Sequence, residues 1–257
     1  MAKKQVKKED VGTMADMPPE GFVSTGVPEV DELLGGGFPT RRITQIYGQP
    51  GVGKGYLMVM AMRDPKVKVL YVDAEFALNR DRAKKAGVDI SKVSYLPNSQ
   101  LEQVAEHVLE NLEKYDLVVI DSLAALTPMT IIQNEVGASA IGLAARQINH
   151  FVAKLRPKLY SSNTAVIGIN QVRANLGYGA AESKPFGGWG WGHNIDLSLK
   201  LYKGGSNAAY KQTNGIKRQV GHWCSVKIEK SRLGEVGGEA KFLIEYDKEG
   251  GDEQITE

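Results

Sequence analysis

Residues 48–54 read Gly-Gln-Pro-Gly-Val-Gly-Lys, the pattern G-x-x-x-x-G-K, and their flanks restrict the fold more than anything else in the chain. The apolar run Ile43-Thr44-Gln45-Ile46-Tyr47 precedes them and reads as a buried strand. Tyr56 to Met62 follows and reads as a helix. A strand that turns through such a loop into a helix is the setting of a phosphate-binding loop. Glycines let backbone N–H groups converge on an anion without Cβ clashes. The helix N-terminus adds a partial positive charge and Lys54 a full one. Gly48, Gln49, Pro50, Gly51, Val52, Gly53 and Lys54 are therefore the expected contacts of a bound nucleotide, with ATP and Mg²⁺ as cofactors. The pattern normally closes on Ser or Thr, whose hydroxyl ligates the metal, but here the residue is Gly55. Mg²⁺ keeps several waters in such sites. The expectation is weakened metal positioning rather than lost ATP binding.

Beyond the loop, apolar strands alternate with amphipathic stretches. Val67 to Val72, Val93 to Leu96, Leu117 to Asp121 and Thr164 to Asn170 read as strands. Thr25 to Leu34, Arg80 to Ala86, Leu101 to Leu112 and Ser139 to Leu159 read as helices, the third from the spacing of Leu101, Val104, Ala105, Val108, Leu109 and Leu112. This alternation predicts an α/β fold with a mostly parallel, twisted sheet flanked by helices. After residue 194 the pattern changes to strands and turns, with Asn214-Gly215 as a hairpin signal, so antiparallel strands are expected toward the C-terminus.

Ligands of such sheets sit at the carboxyl ends of the strands. The glycine loop, Glu75, Asp121 and Gln171 all fall at that edge, and their convergence argues for one site. An apolar strand ending in Asp suits a metal carboxylate, so Asp121 is the candidate metal residue. A helix N-cap is the other reading of Asp121, because Ser122 and a helix-like run follow. Glu75 ends the neighbouring strand, where a carboxylate can polarise an attacking water; a solvated loop acid is its plainer alternative.

Composition adds boundaries. The chain has 257 residues, 42% hydrophobic and 24% charged, with a net charge of +2, so bulk charge does not argue for nucleic acid. No apolar run approaches the ~20 residues that span a bilayer. A single cysteine, Cys224, fits a reducing compartment, and a cytoplasmic protein without a membrane partner is expected. Residues 1–23, with Lys3, Lys4, Lys7, Lys8 and Pro18-Pro19, read as a flexible basic arm; 24–246 as the core; 247–257 as an acidic tail.

Several blocks are more specific than the loop. Asp73-Ala74-Glu75-Phe76-Ala77-Leu78, Gly87-Val88-Asp89-Ile90 and Asp121-Ser122-Leu123-Ala124-Ala125-Leu126-Thr127-Pro128 resemble the RecA recombinase family. Gly142-Leu143-Ala144-Ala145-Arg146, Ser162-Asn163-Thr164 and Asn170-Gln171-Val172-Arg173 do too, over residues 24–246 and in family order. The resemblance implies a RecA-like P-loop ATPase core of bacterial or phage type. The implied activity is ATP-dependent homologous pairing and strand exchange. The implied partners are single-stranded DNA, double-stranded DNA as second substrate, and copies of the chain in a helical filament. The alternative is a nucleotide-gated DNA-binding paralogue with little turnover.

Roles carry over residue by residue. Glu75 matches the glutamate that activates water, and Gln171 the glutamine that senses the γ-phosphate. Arg82 falls where a flat side chain stacks on adenine, and Asn79 near the adenine edge. Lys230 and Arg232 match paired cations that reach the ATP of a neighbouring protomer; a solvated strand-end pair is the plainer reading. Two segments match DNA-binding loops. In residues 133–146, Ile141 is the candidate base wedge and Arg146 the phosphate contact. In residues 172–193, Arg173, Leu176, Gly187, Gly188, Trp189 and Trp191 are the candidates, the indoles as stacking faces. Burial of the tryptophans in a core or subunit contact is the other reading. The family's N-terminal docking helix and C-terminal DNA-gathering domain have no evident counterpart here.

Overall fold

Six strands lie parallel, and the order in which they pair decides where the site is. The computed structural model describes residues 13–133, 140–173, 184–185, 188–203, 208–213, 216–246 and 253–254. In chain order the elements are β1 (Phe22–Val23), α1 (Pro28–Leu34), β2 (Phe38–Pro39), β3 (Ile43–Gly48), α2 (Lys54–Ala61), β4 (Val69–Asp73) and α3 (Arg80–Lys85). There follow β5 (Val93–Leu96), α4 (Leu101–Asn111), β6 (Leu117–Asp121), α5 (Met129–Gln133), α6 (Ala140–Ser161) and β7 (Ala165–Arg173). The rest are β8 (Lys184–Pro185), α7 (Gly188–Asn194), β9 (Leu197–Tyr202), β10 (Ala208–Thr213), β11 (Ile216–Ser231), β12 (Glu239–Tyr246) and β13 (Glu253–Gln254).

The large sheet runs β13-β12-β11-β9-β3-β7-β6-β4-β5. From β5 to β9 every neighbouring pair is parallel; from β9 to β13 every pair is antiparallel. This is the expected α/β sheet, with its antiparallel extension toward the C-terminus. Strands β10 and β11 pair antiparallel up to Thr213 and Ile216, as the Asn214-Gly215 signal predicts, although those two residues lie outside the described ones. The inner parallel strands β3, β4 and β6 are buried on both faces, so their side chains alternate between two cores. Val69, Tyr71, Leu117 and Val119 join the core under α2 and α3. Leu70, Val72, Val118 and Ile120 join the one under α4 and α6. A fully apolar strand is the sequence mark of this arrangement.

Element boundaries shift by up to three residues from expectation, and the start of α1 shows a physical reason. Helix α1 starts at Pro28, not near Thr25, and its N-cap Val27 offers no side-chain bond. Pro28 has no N–H to satisfy and a φ already suited to a first helical turn, so it sets the start. Ser24 and Thr25 serve the preceding turn instead: Ser24 Oγ and Thr25 N–H both donate to the Asp31 carboxylate.

Gly168 in β7 marks a tight place between the sheet and its helix layer. A Cβ there would overlap Leu123 Cδ1 and lie 3.3 Å from Trp191 Cζ2. Leu123 and Trp191 are both buried, so neither has room to yield. Gly168→Ala should therefore destabilise the fold by about 1–3 kcal/mol through overpacking. Chemical denaturation followed by circular dichroism reads this directly, and an unchanged midpoint would contradict the packing described.

Candidate functional site

The parallel register brings the polar strand ends together. Gly48 on β3 pairs with Gln171 on β7, and Asp73 on β4 with Asp121 on β6. Above these ends lies a cavity of 340 Å³ lined by Pro50, Gly51, Gly53, Lys54 and Gly55 from the loop, by Glu75, Asn79 and Arg82, and by Asp121 and Gln171. Ten of the sequence candidates thus meet in one place. Gly48, Gln49 and Val52 support it from behind: the two carbonyls accept Lys54 Nζ at 2.9 Å each, and Val52 is buried in the core.

Loop conformation follows from its glycines and its floor. Gly53 has φ 114° and stands at the N-terminal end of α2. A Cβ at Gly53 would overlap Ile244 Cδ1 of β12, with Cys224 Sγ of β11 next nearest. Only glycine both takes this φ and lets the loop lie on that floor. Tyr56 on α2 stacks on Phe242 with ring centroids 5.8 Å apart, holding helix and antiparallel strands together. At Gly55 the surroundings differ: a Cβ there meets nothing within 4 Å.

Three carboxylates crowd the edge, and each has a different set of partners. Asp73 is buried and accepts the N–H groups of Ala77 and Leu78 and the Tyr95 hydroxyl, which folds the segment carrying Glu75 over the strand ends. Glu75 Oε1 accepts from Ser122 Oγ and, at 2.8 Å, from Gln171 Nε2. Asp121 Oδ2 accepts the Tyr71 hydroxyl at 2.6 Å, and among the described residues Oδ1 accepts no hydrogen bond. Burial pushes the Asp121 carboxyl up to about 6; the Tyr71 bond opposes this, and the charges of Glu75 and Asp73 reinforce it. Burial also lowers the Lys54 ammonium, while Asp121 and Glu75 act to restore it.

The donor set fits a hard cation beside a polyphosphate. Asp121 is a half-buried residue whose carboxylate has one open oxygen and an elevated pKa, the state that a cation would relieve. Among the described residues no group of three His, Cys, Asp or Glu could hold a metal by itself, so phosphate oxygens and water would complete the shell. Asp121 precedes a short 3-10 turn, Leu123–Ala125, whose N-cap position belongs to Ser122 and makes no side-chain bond. The helix-cap reading of Asp121 therefore drops out.

On the rim, Asn79 caps α3 by accepting the Arg82 N–H at 3.0 Å. That fixes the orientation of the Asn79 amide beside Arg82 in the cavity wall.

Lys230 and Arg232 do not line the cavity. Lys230 Nζ donates to the carbonyls of Gly192 at 2.6 Å and Ile195 at 2.7 Å. Arg232 donates to the His193 carbonyl and to Asp196 Oδ1. Together they cap the C-terminal end of α7, where cations suit the unsatisfied carbonyls.

The DNA candidates separate. Arg146 is exposed on α6. Ile141 lies in the first turn of α6 and Arg173 ends β7. Gly188 and Trp189 open α7. Leu176 and Gly187 lie outside the described residues. Trp191 requires a correction. It is 3% exposed, and its indole N–H donates to Gln45 Oε1 inside the helix-side core. A stacking face must be accessible, so Trp191 is a core residue.

Sequence reasoning missed Tyr71, Ser122, Gln45 and Asn170. Gln45 links the indole to Asn170 Nδ2 at 3.1 Å and to Ser198 Oγ at 3.0 Å, and Asn170 Oδ1 accepts the Gln171 N–H. The available signal was polar residues within otherwise apolar strands.

The family model of the RecA N-terminal domain matches residues 4–250 of the chain. No helix among the described residues is long and apolar enough to cross a membrane.

The Asp121 shift has a stability consequence. A carboxyl whose folded pKa lies above its unfolded value, here about 6 against 3.8, binds its proton more tightly when folded. Its contribution is full below the unfolded value and is lost as pH rises through about 6, leaving a charge penalty above. Asp121→Asn should stabilise the metal-free protein by up to about 3 kcal/mol near neutral pH and by almost nothing near pH 4. Thermal unfolding in EDTA across this range checks it; equal effects at both ends would contradict the assignment.

Proposed function

Because the chain belongs to the RecA family, we propose that it is an ATP-dependent DNA recombinase, working as a helical filament on single-stranded DNA and pairing it with a homologous duplex. The observation that supports this most is the bond from Gln171 Nε2 to Glu75 Oε1, in the cavity that also holds Lys54 and Asp121. It joins the expected phosphate sensor to the expected base. Residues 24–246 are taken as the ATPase core.

In this reading the Gly48–Lys54 loop cradles the phosphates through its N–H groups. Lys54 leaves the carbonyls of Gly48 and Gln49 for the β- and γ-phosphate oxygens. Mg²⁺, bound through Asp121 and water, supplies positive charge against the phosphate oxygens. Asn79 and Arg82 receive the adenine, the guanidinium as a stacking plane. Glu75 takes the proton of the attacking water. One carboxylate oxygen takes that proton, and Oε1 already accepts from Ser122 and Gln171. When Gln171 turns to the γ-phosphate it releases one acceptor site on Glu75, so sensing and base activation are one movement. Gln171 begins the exit of β7 toward the glycine-rich segment, and nucleotide state and DNA affinity are linked through it. In the filament Lys230 and Arg232 would reach the phosphates of a neighbouring protomer. Arg146, Arg173, Ile141, Leu176, Gly187, Gly188 and Trp189 remain the proposed DNA contacts.

Gly55 favours a second reading, a nucleotide-gated DNA-binding protein with little turnover. ATP turnover with and without single-stranded DNA decides between them. The recombinase reading requires DNA-stimulated hydrolysis. Glu75→Gln should keep ATP and DNA binding and lower turnover by roughly 10²–10⁴-fold, since an amide cannot accept the water proton. Lys54→Ala should instead weaken nucleotide binding itself. Near-normal hydrolysis in Glu75→Gln would remove Glu75 from the base role.

A further inference from the structure

We propose that Tyr71 is a positioning residue for the metal carboxylate, its hydroxyl fixing Asp121 in place of the orientation that a loop hydroxyl at position 55 would help to define. The proposal rests on the reading of the cavity as an ATP and Mg²⁺ site. Three observations carry it. Tyr71 sits in the middle of β4 with its ring in the apolar core, 2% exposed, yet it also lines the nucleotide cavity. A phenylalanine would fill the same apolar wall; what tyrosine adds is one polar atom, and that atom bonds Asp121 Oδ2 at 2.6 Å. The phenol O–H is the donor of this bond and the carboxylate its acceptor.

The second observation is what the bond leaves over. With Oδ2 occupied, Oδ1 has no hydrogen bond among the described residues. A carboxylate pinned by one oxygen presents the other in a fixed direction before any cation arrives. Groups that orient a ligand from behind in this way raise metal affinity by removing freedom that binding would otherwise have to quench. The third is Gly55. Position 55 lines the same cavity, and a Cβ there would meet nothing within 4 Å. The loop has room for a hydroxyl and does not carry one, while strand β4 brings a hydroxyl to the same cavity and aims it at the metal carboxylate. Tyr71 and Gly55 are thus a matched pair: constraint is removed on the loop side and supplied on the strand side.

A double-mutant cycle tests this, with Mn²⁺ as the probe and a non-hydrolysable ATP analogue in the site. Free Mn²⁺ is counted by electron paramagnetic resonance for the wild-type protein, Tyr71→Phe, Gly55→Ser and the double variant. Tyr71→Phe should weaken Mn²⁺ uptake by roughly tenfold while leaving binding of the analogue in EDTA unchanged. Gly55→Ser should recover most of that loss in the Tyr71→Phe background and bring a smaller gain in the wild type. Unaltered Mn²⁺ affinity in Tyr71→Phe, or an equal loss in both backgrounds, overturns the proposal and leaves the nucleotide site standing. Wild-type protein that binds neither the analogue nor Mn²⁺ overturns the site reading and this proposal with it. A second measurement needs no loss of the hydroxyl. With 3-fluorotyrosine at position 71 alone, Mg²⁺ added to the analogue complex should shift the fluorine resonance, because the hydrogen-bonded carboxylate gains a cation on its other oxygen. An unmoved resonance would also overturn the proposal.

Discussion

Parallel pairing in register is the constraint on which the site depends. Gly48 stands beside Gln171 and Asp73 beside Asp121 because β3, β7, β6 and β4 all run the same way and end together. No one of these residues is near another in the sequence. A one-residue slip of β4 against β6 would turn every side chain of the strand to the opposite face. It would place Tyr71 and Asp73 among the apolar groups under α4 and α6, and Leu70 and Val72 under α2 and α3. The two unlike cores that clamp the sheet therefore fix the geometry of this edge as well as the fold.

The charge at that edge is managed unequally. Asp73 is fully employed in structure, with two backbone N–H groups and a tyrosine hydroxyl on its oxygens. Glu75 is held by two side chains, Ser122 and Gln171. Asp121 is held on one oxygen only. A buried carboxylate that is incompletely satisfied costs stability, and such costs concentrate where a ligand is to be bound. The gradation from Asp73 through Glu75 to Asp121 is one of decreasing satisfaction by neighbouring groups.

Much of this was legible in the sequence, for physical reasons. A strand buried on both faces leaves an uninterrupted apolar run, so β4, β6 and β7 announce themselves, and the acid or amide that ends each one marks the edge. The glycine loop is written in consecutive residues. Trp191 was not legible as core. In its own surroundings, Gly-Gly-Trp-Gly-Trp-Gly, it looks like an indole on a flexible loop. What buries it is the side-chain amide oxygen of Gln45, 146 residues away in the chain, together with the space beside Gly168 on β7. Tyr71 was hidden for the opposite reason: within an apolar strand its ring accounts for its presence, and the partner of its hydroxyl lies on another strand. The start of α1 was misplaced because Thr25 has the right chemistry for a cap, while Pro28 has the stronger geometric claim.

The floor of the glycine loop comes from far down the chain. Leu201 presses its carbonyl against Gly48, and Ile244 and Cys224 lie beneath Gly53. The loop belongs to the first fifth of the chain and its support to the last quarter. Contacts of such sequence separation require large segments of chain to be closed before they form, which makes them late in folding. A polypeptide emerging from a ribosome would carry the loop long before β9, β11 and β12 exist to shape it. The loop would thus take its final shape only when the C-terminal strands have docked beneath it.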